Sequence, residues 1–206
     1  MSRFSLSLGR PTLADRLLGR GLGIDFVLIL AGVALTSIAA QVTIPSWPIP
    51  ITGQTIAVLL VGMSLGALRG AISMVLYAAS GAAGLPIFSD SNSGIDAITG
   101  QTGGYIIGFI GAAALVGWWA QRGLDRTLIR SVLSAASGTA VIYLFGLPGL
   151  ALSRSIGFPE TLEIGLYPLI AVGVVKVVVV AVVNTTSWDA VERMEKRDEQ
   201  RAEAAL

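Results

Sequence analysis

The stretch IGLYPLIAVGVVKVVVVAVVNTTSW, residues 164–188, decides the class of fold. An α-helix of about 20 predominantly apolar residues is long enough to cross the hydrocarbon core of a bilayer. This stretch is longer than that, and Lys176 is its only charged residue. It therefore predicts a transmembrane helix.

Five more apolar runs precede this one along the chain. They cover residues 25–41, 51–68, 71–84, 103–120 and 127–147. Hydrophobic residues make up 53% of the chain and charged residues only 13%, whereas a soluble domain has about 25% charged residues. The sequence therefore predicts an all-α integral membrane protein with six transmembrane helices in a lipid bilayer.

The basic residues are distributed unevenly around these runs. All of the 14 Lys and Arg residues except Arg154 and Lys176 lie in the two tails or after the second and fourth runs. Cytoplasmic loops carry an excess of Lys and Arg, so both termini are expected in the cytoplasm. We predict a cytosolic arm at 1–23, a six-helix domain at 24–188 and a charged cytosolic tail at 189–206.

The residue types that are missing exclude several classes of protein. The chain has no His and no Cys, which removes the usual ligands of zinc, haem and iron–sulfur clusters. The phosphate-binding pattern Gly-x-x-x-x-Gly-Lys-Ser/Thr is also absent. We therefore expect no enzyme activity, no metal, no cofactor and no nucleic-acid partner.

Lys176 is the strongest single indication of a binding site. Its place in the sixth run puts it near the middle of the bilayer, where a charge costs at least about 2.5–3.5 kcal/mol unless it faces a polar interior. The runs offer no acidic partner except Asp25, at the far end of the first run. The carboxylate of a ligand is therefore a better hypothesis than a structural ion pair.

Other candidate residues lie where the loops meet the helices. Trp47 is flanked by Pro45, Pro48 and Pro50 and is either an interfacial anchor, which its position favours, or a lid over a pocket. Gln54 has more donor and acceptor sites than helix capping requires.

Four stretches carry a resemblance to a known family. They are ITGQTIAVLLVGMSLGALRGAISMVLYAASGAAGLPIF (51–88), GQTGGYIIGF (100–109), GTAVIYLFGLPGLA (138–151) and GLYPLIAVGVVK (165–176). With these stretches in this order, residues 24–183 resemble the BioY proteins, the biotin-specific substrate-binding (S) components of energy-coupling-factor (ECF) transporters.

The resemblance implies six helices with cytoplasmic termini in a bacterial cytoplasmic membrane, and a biotin pocket near the outer side. It also implies a membrane coupling protein and two ATPase subunits as partners. In the family a small-residue face of the first helix docks on the coupling protein, and Gly32, Thr36 and Ala40 form such a series here.

The chain departs from the family pattern at two positions. Gly173 stands where the family has an aspartate three residues before the lysine, and Gln101 replaces a proline before Thr102. The site thereby loses an acceptor for an N–H group of the ligand. Gln54, Gln101 or Asn92 are candidates to replace it.

The expected roles at the site follow from the resemblance and from residue chemistry. Lys176 is expected to bind the carboxylate, Gln54 and Gln101 to make polar contacts with the ring, and Tyr105 and Trp47 to form apolar walls. The leading hypothesis is biotin capture for an ECF transporter. The alternatives are a stand-alone carrier for a biotin-like or other small carboxylate, and a membrane scaffold in which Lys176 has no role.

Overall fold

A computed structural model describes residues 5–7, 9–45 and 49–204, and this part of the chain is almost entirely helical. It contains one antiparallel pair of two-residue strands, β1 (Thr43–Ile44) and β2 (Ile51–Thr52). The helices are α1 (Leu13–Leu18), α2 (Leu22–Gln41), α3 (Gln54–Leu65), α4 (Ala67–Ala82), α5 (Ile95–Thr99), α6 (Gly103–Ala120), α7 (Leu128–Arg154), α8 (Phe158–Gly165) and α9 (Tyr167–Ala204). The predicted all-α class is confirmed.

Four of the described helices are long and apolar enough to cross a membrane, namely α2, α6, α7 and α9. They correspond to the first, fourth, fifth and sixth predicted runs, and α6 has the predicted bounds. The other three long helices extend further than expected. Helix α2 begins at Leu22, α7 continues through Pro148 to Arg154, and α9 continues into the charged tail.

The second and third predicted runs form two shorter helices. Helix α3 has 12 residues and α4 has 16, which is about 18 and 24 Å at 1.5 Å per residue. They are separated by Gly66, whose φ of 89° is accessible to glycine but costly for other residues. The strand β2 also takes the first residues of the predicted second run.

Close helix contacts hold α6 at the centre of the bundle. It packs against α3, α4 and α7, and glycines lie at the crossing points. A Cβ atom on Gly62 would be 2.6 Å from the Ala113 carbonyl oxygen, and one on Gly104 would be 2.9 Å from the Gly149 Cα. Small residues of this kind let helix backbones approach closely where lipid supplies no hydrophobic driving force.

A buried ion-pair cluster joins the N-terminal arm to α2 and α4. The guanidinium of Arg69 is completely buried and pairs with Asp15, at 2.8 Å, and with Asp25. Arg69 was expected in a cytoplasmic loop, and the structure corrects this by placing it in the first turns of α4. The two carboxylates neutralise the cation, which allows it to be buried.

The carboxyl group of Asp15 is the hub of this cluster. Burial alone would raise its pKa, but hydrogen bonds from the Ser7 hydroxyl, the Thr12 backbone and Arg69 outweigh burial and hold the pKa below its ordinary value. The described part of the arm is therefore held against α4 by this cluster.

A second buried polar cluster fixes α9 to the connection between α6 and α7. Asp125 accepts hydrogen bonds from the indole N–H of Trp188 at 3.0 Å and from the Asn184 amide at 3.4 Å. Burial raises the pKa of Asp125, against the opposing effect of these two donors. The amide of Asn184 also donates to the Asp125 carbonyl at 2.7 Å.

Candidate functional site

A cavity lies between helices α3, α6, α7 and α9 and is covered by residues 49–52 and by the segment before α5. Its empty space, including the open mouth, is about 790 Å³. Its apolar wall includes Ile49, Phe88, Ile106, Phe109, Ile142, Leu169 and Val172. Its polar wall consists of Thr52, Gln54, Thr55, Ser89, Asn92, Thr102, Tyr105, Thr139, Tyr143 and Lys176.

Lys176 is the only charged side chain among the described residues that line this cavity. It lies in the membrane-spanning part of α9 and is half-buried. No described residue pairs with its ammonium group or accepts a hydrogen bond from it. An isolated cation at this depth favours an anion in the cavity.

Gln54 is held in place at the start of α3 by its neighbours. Its amide oxygen accepts a hydrogen bond from the Thr52 hydroxyl at 2.7 Å, and its amide nitrogen donates to the Tyr77 hydroxyl at 2.6 Å. The Tyr77 hydroxyl in turn donates to the Ile87 carbonyl at 3.1 Å. One N–H of Gln54 is left without a described acceptor, and it is available to a molecule in the cavity.

The segment that covers the cavity is fastened to α2 and α4. The side chain of Gln41, at the end of α2, donates to the Phe88 carbonyl at 3.0 Å and accepts from the Ser91 amide at 3.1 Å. The Phe88 ring packs edge-on against Tyr77, with the centroids 5.4 Å apart. The cover therefore has a defined position over the cavity.

Two tyrosines from α6 and α7 form an aromatic wall. The rings of Tyr105 and Tyr143 meet edge-on with their centroids 6.3 Å apart. The Tyr105 hydroxyl donates to the Gly165 carbonyl at 3.1 Å, and the Tyr143 hydroxyl donates to the Leu169 carbonyl at 3.3 Å. These contacts fix both rings against the start of α9 and the residues before it.

Gly173 lies at the cavity one turn before Lys176 on α9. A Cβ atom at this position would lie 3.3 Å from the Tyr143 hydroxyl oxygen. The glycine therefore leaves space that a side chain from α9 would otherwise fill.

The structure brings most of the predicted site residues together. Six of them line the cavity: Gln54, Asn92, Thr102, Tyr105, Gly173 and Lys176. Gln101 does not line it, and its amide oxygen instead accepts a hydrogen bond from Arg154 at 3.2 Å. Trp47 lies outside the described residues.

The predicted docking series on the first helix is not exposed in this structure. A Cβ atom on Gly32 would lie 2.7 Å from the Ser73 hydroxyl oxygen of α4. Thr36 and Ala40 on the same face are completely buried. In this structure the small-residue face of α2 packs against α3 and α4, and its role in docking stays a prediction.

Several residues of the cavity were not identified from the sequence. They are Thr139, Tyr143, Phe88 and Phe109. The spacing of four between Thr139 and Tyr143 places them on one face of a helix, but no local pattern indicates that this face meets a cavity. Within the described ranges, no group of three acidic, His or Cys residues is arranged to hold a metal ion.

Comparison with known proteins relates this chain to one family of membrane transporters. The BioY family model matches residues 16–193. A probable biotin transporter BioY of Pyrococcus horikoshii is 39% identical over 149 residues, covering 72% of this chain and 86% of that protein. A biotin transporter BioY of Rhodobacter capsulatus is 33% identical over 172 residues, covering 76% of this chain and 90% of that protein.

A solved structure has the same fold. It is the crystal structure of the S-component for biotin from an ECF-type ABC transporter, with a TM-score of 0.71 and 21% sequence identity. The match covers 79% of this chain and 89% of that chain. The family match, the relatives and the multi-pass helical architecture agree, and the chain belongs to the BioY family.

Proposed function

We propose that this protein captures biotin for uptake and is the membrane-embedded S component of an ECF-type transporter. It lies in a bacterial cytoplasmic membrane with both termini in the cytoplasm, and α3 and α4 complete a set of six membrane helices with α2, α6, α7 and α9. The relatives described as biotin transporters and the BioY family match support this proposal.

The observation that carries the proposal is the isolated ammonium group of Lys176 in a cavity with otherwise neutral walls. Biotin has a carboxylate at the end of an apolar chain and a bicyclic ring with a neutral ureido group. A cation in an apolar cavity binds such a carboxylate more strongly than water-exposed charges do, because the surroundings are less polar. Lys176 binds the biotin carboxylate in this proposal.

The remaining cavity residues divide into polar contacts and apolar walls. The free N–H of Gln54 donates to the ureido carbonyl oxygen, and Thr102 and Asn92 offer further polar groups near the cover. Tyr105 supplies a flat apolar surface. The role predicted for Gln101 remains a prediction because its side chain does not line the cavity. The role predicted for Trp47 also remains a prediction, because Trp47 lies outside the described residues.

Transport requires an energy source that this chain lacks. The sequence has no phosphate-binding ATPase motif, so we propose a membrane coupling protein and two ATPase subunits as partners. No cofactor or enzymatic step is involved, and biotin is the cargo. Biotin uptake by the chain expressed alone, in cells without such partners, would instead favour the stand-alone carrier.

Calorimetric titration of the purified protein in detergent tests the proposal. Biotin and biotinamide, in which the carboxylate is replaced by a neutral amide, are the matched ligands. We expect tight binding of biotin and at least about 30-fold weaker binding of biotinamide, because an unpaired buried ammonium costs about 2 kcal/mol or more. A folded protein that binds neither ligand would overturn the assignment of biotin.

A further inference from the structure

Two hydroxyl groups on α7 lie on the cavity wall one helical turn apart. They belong to Thr139 and Tyr143, and both residues line the same cavity as Lys176. Residues four apart on a helix share one face, so both oxygens belong to the same side of the cavity. Neither group carries a charge.

The protons of both hydroxyls are already donated within the protein. Thr139 donates to the Ala135 carbonyl at 2.9 Å, and Tyr143 donates to the Leu169 carbonyl at 3.3 Å. A hydroxyl group has one proton and two acceptor lone pairs. Toward the cavity, these two oxygens are therefore hydrogen-bond acceptors.

The two side-chain amide oxygens on the wall are already engaged. The Gln54 amide oxygen accepts from Thr52, and the Asn92 side-chain oxygen accepts from the Ser93 amide at 2.8 Å. Asn92 is also exposed. A molecule with N–H groups therefore finds uncommitted hydroxyl acceptors on α7 at Thr139, which is buried, and at Tyr143, which is partly buried.

Glycine at position 173 keeps the Tyr143 hydroxyl open to the cavity. A Cβ atom there would already lie 3.3 Å from the hydroxyl oxygen, and a longer side chain would extend into the space beside it. The ring itself is held edge-on by Tyr105, so the oxygen has a fixed position.

We propose that Tyr143, with Thr139 one turn away, is the specificity-determining acceptor for the N–H groups of the ligand. This inference rests on the proposed function. The site then selects a carboxylate that also has neutral N–H donors. For biotin, these donors are the two ureido N–H groups. A carboxylate ligand without N–H groups binds more weakly, because it leaves the hydroxyl acceptors unpaired.

The test compares two ligands and two variants by calorimetric titration. The ligands are biotin and a biotin analogue in which both ureido nitrogens are methylated, which removes the N–H donors. Tyr143→Phe deletes only the hydroxyl and Thr139→Val is nearly isosteric, while Tyr167→Phe is the control at an exposed position. For Tyr143→Phe we expect about 10-fold weaker binding of biotin, or more, and less than about 3-fold for the methylated analogue.

A rescue experiment adds a second readout. Gly173→Asp in the Tyr143→Phe background supplies a carboxylate acceptor in the space beside residue 143, and we expect it to recover most of the lost biotin affinity. An equal loss for both ligands would indicate a structural role and overturn the inference, as would unchanged biotin binding by Tyr143→Phe. If the folded wild-type protein does not bind biotin, the proposed function fails and the inference fails with it.

Discussion

The Asp15 carboxylate accepts a hydrogen bond from the Arg69 guanidinium at 2.8 Å, and both side chains are shielded from solvent. The two residues are 54 positions apart in the chain, so this contact joins the N-terminal arm to α4. Because Arg69 also pairs with Asp25 at the start of α2, one cation holds three parts of the chain together.

Arg69→Met is expected to destabilise the protein strongly. The substitution leaves Asp25 buried without its cation and leaves Asp15 with only the partly exposed Arg20. Breaking a buried pair in this way costs about 3–5 kcal/mol. Thermal unfolding in detergent, followed by circular dichroism, measures the loss. Arg16→Met is the control, because Arg16 pairs with Glu195 at a position where both side chains are exposed, and such pairs contribute about 1 kcal/mol or less. Equal effects of the two substitutions would contradict the structure.

The stability of the cluster is expected to depend on pH in the acid range. The folded-state pKa of Asp15 is below its ordinary value of 3.8, so its contribution is fully present above that value. It is lost as the pH falls further, through the lowered pKa of the folded state. Unfolding temperatures measured from pH 6 to pH 3 should fall more steeply for the wild type than for Asp15→Asn. Asp189→Asn, at an exposed position of α9, should follow the wild type.

Lys176→Met is expected to abolish the preference for a carboxylate. The variant should bind biotin at least about 30-fold more weakly than the wild type does and should no longer distinguish biotin from biotinamide. Because no described residue pairs with the ammonium group, removing it should not lower the unfolding temperature of the empty protein. A large loss of stability would show that Lys176 has a structural partner instead.

Tyr77→Phe is expected to loosen the cover of the cavity. It removes the hydroxyl that joins Gln54 to the Ile87 carbonyl, and an unsatisfied buried group costs about 1–3 kcal/mol. Hydrogen exchange at residues 85–94 should become faster, while exchange in α6 should change little. Tyr167→Phe, which changes an exposed side chain, should leave both regions as they are.

Gly81→Ala is expected to push Phe88 out of position. A Cβ atom at Gly81 would lie 2.1 Å from the Phe88 ring, and overpacking of this kind costs about 1–3 kcal/mol. Since Phe88 lines the cavity, ligand affinity should fall together with stability. Gly23→Ala is the matched control, because nothing lies within 4 Å of its added methyl group. If biotin affinity is the same in both variants, Phe88 does not contact the ligand.

The sequence predicted the helices best where the signal is local. The apolar run 103–120 and helix α6 have the same bounds, because a continuous apolar segment bordered by Thr102 and Gln121 specifies its own ends. The predicted bounds of the second and third helices were less accurate. Gly66 separates α3 from α4 through a positive φ, and an isolated glycine in an apolar run does not reveal whether a helix passes through it or stops.

The environment of two groups depends on distant parts of the chain, and residue type alone does not reveal it. Arg69 was expected in a loop because it lies between the second and third apolar runs, yet it is in α4 and pairs with two carboxylates from other segments. The series Gly32, Thr36 and Ala40 was expected to face a partner protein, yet α3 and α4 cover it. A small-residue face specifies close packing but not which helix it packs against.

The sequence by itself determined that the chain forms membrane helices and predicted an anionic partner for Lys176, because apolar length and the cost of a charge in hydrocarbon are local properties. Only the tertiary structure decided which polar groups lie near Lys176. The folded chain commits Asp15 and Asp25 to Arg69 and places Gln54, Thr139 and Tyr143 on the wall of the cavity beside Lys176. Those contacts join residues far apart in the chain, and their burial and pairing are fixed only when the helices pack.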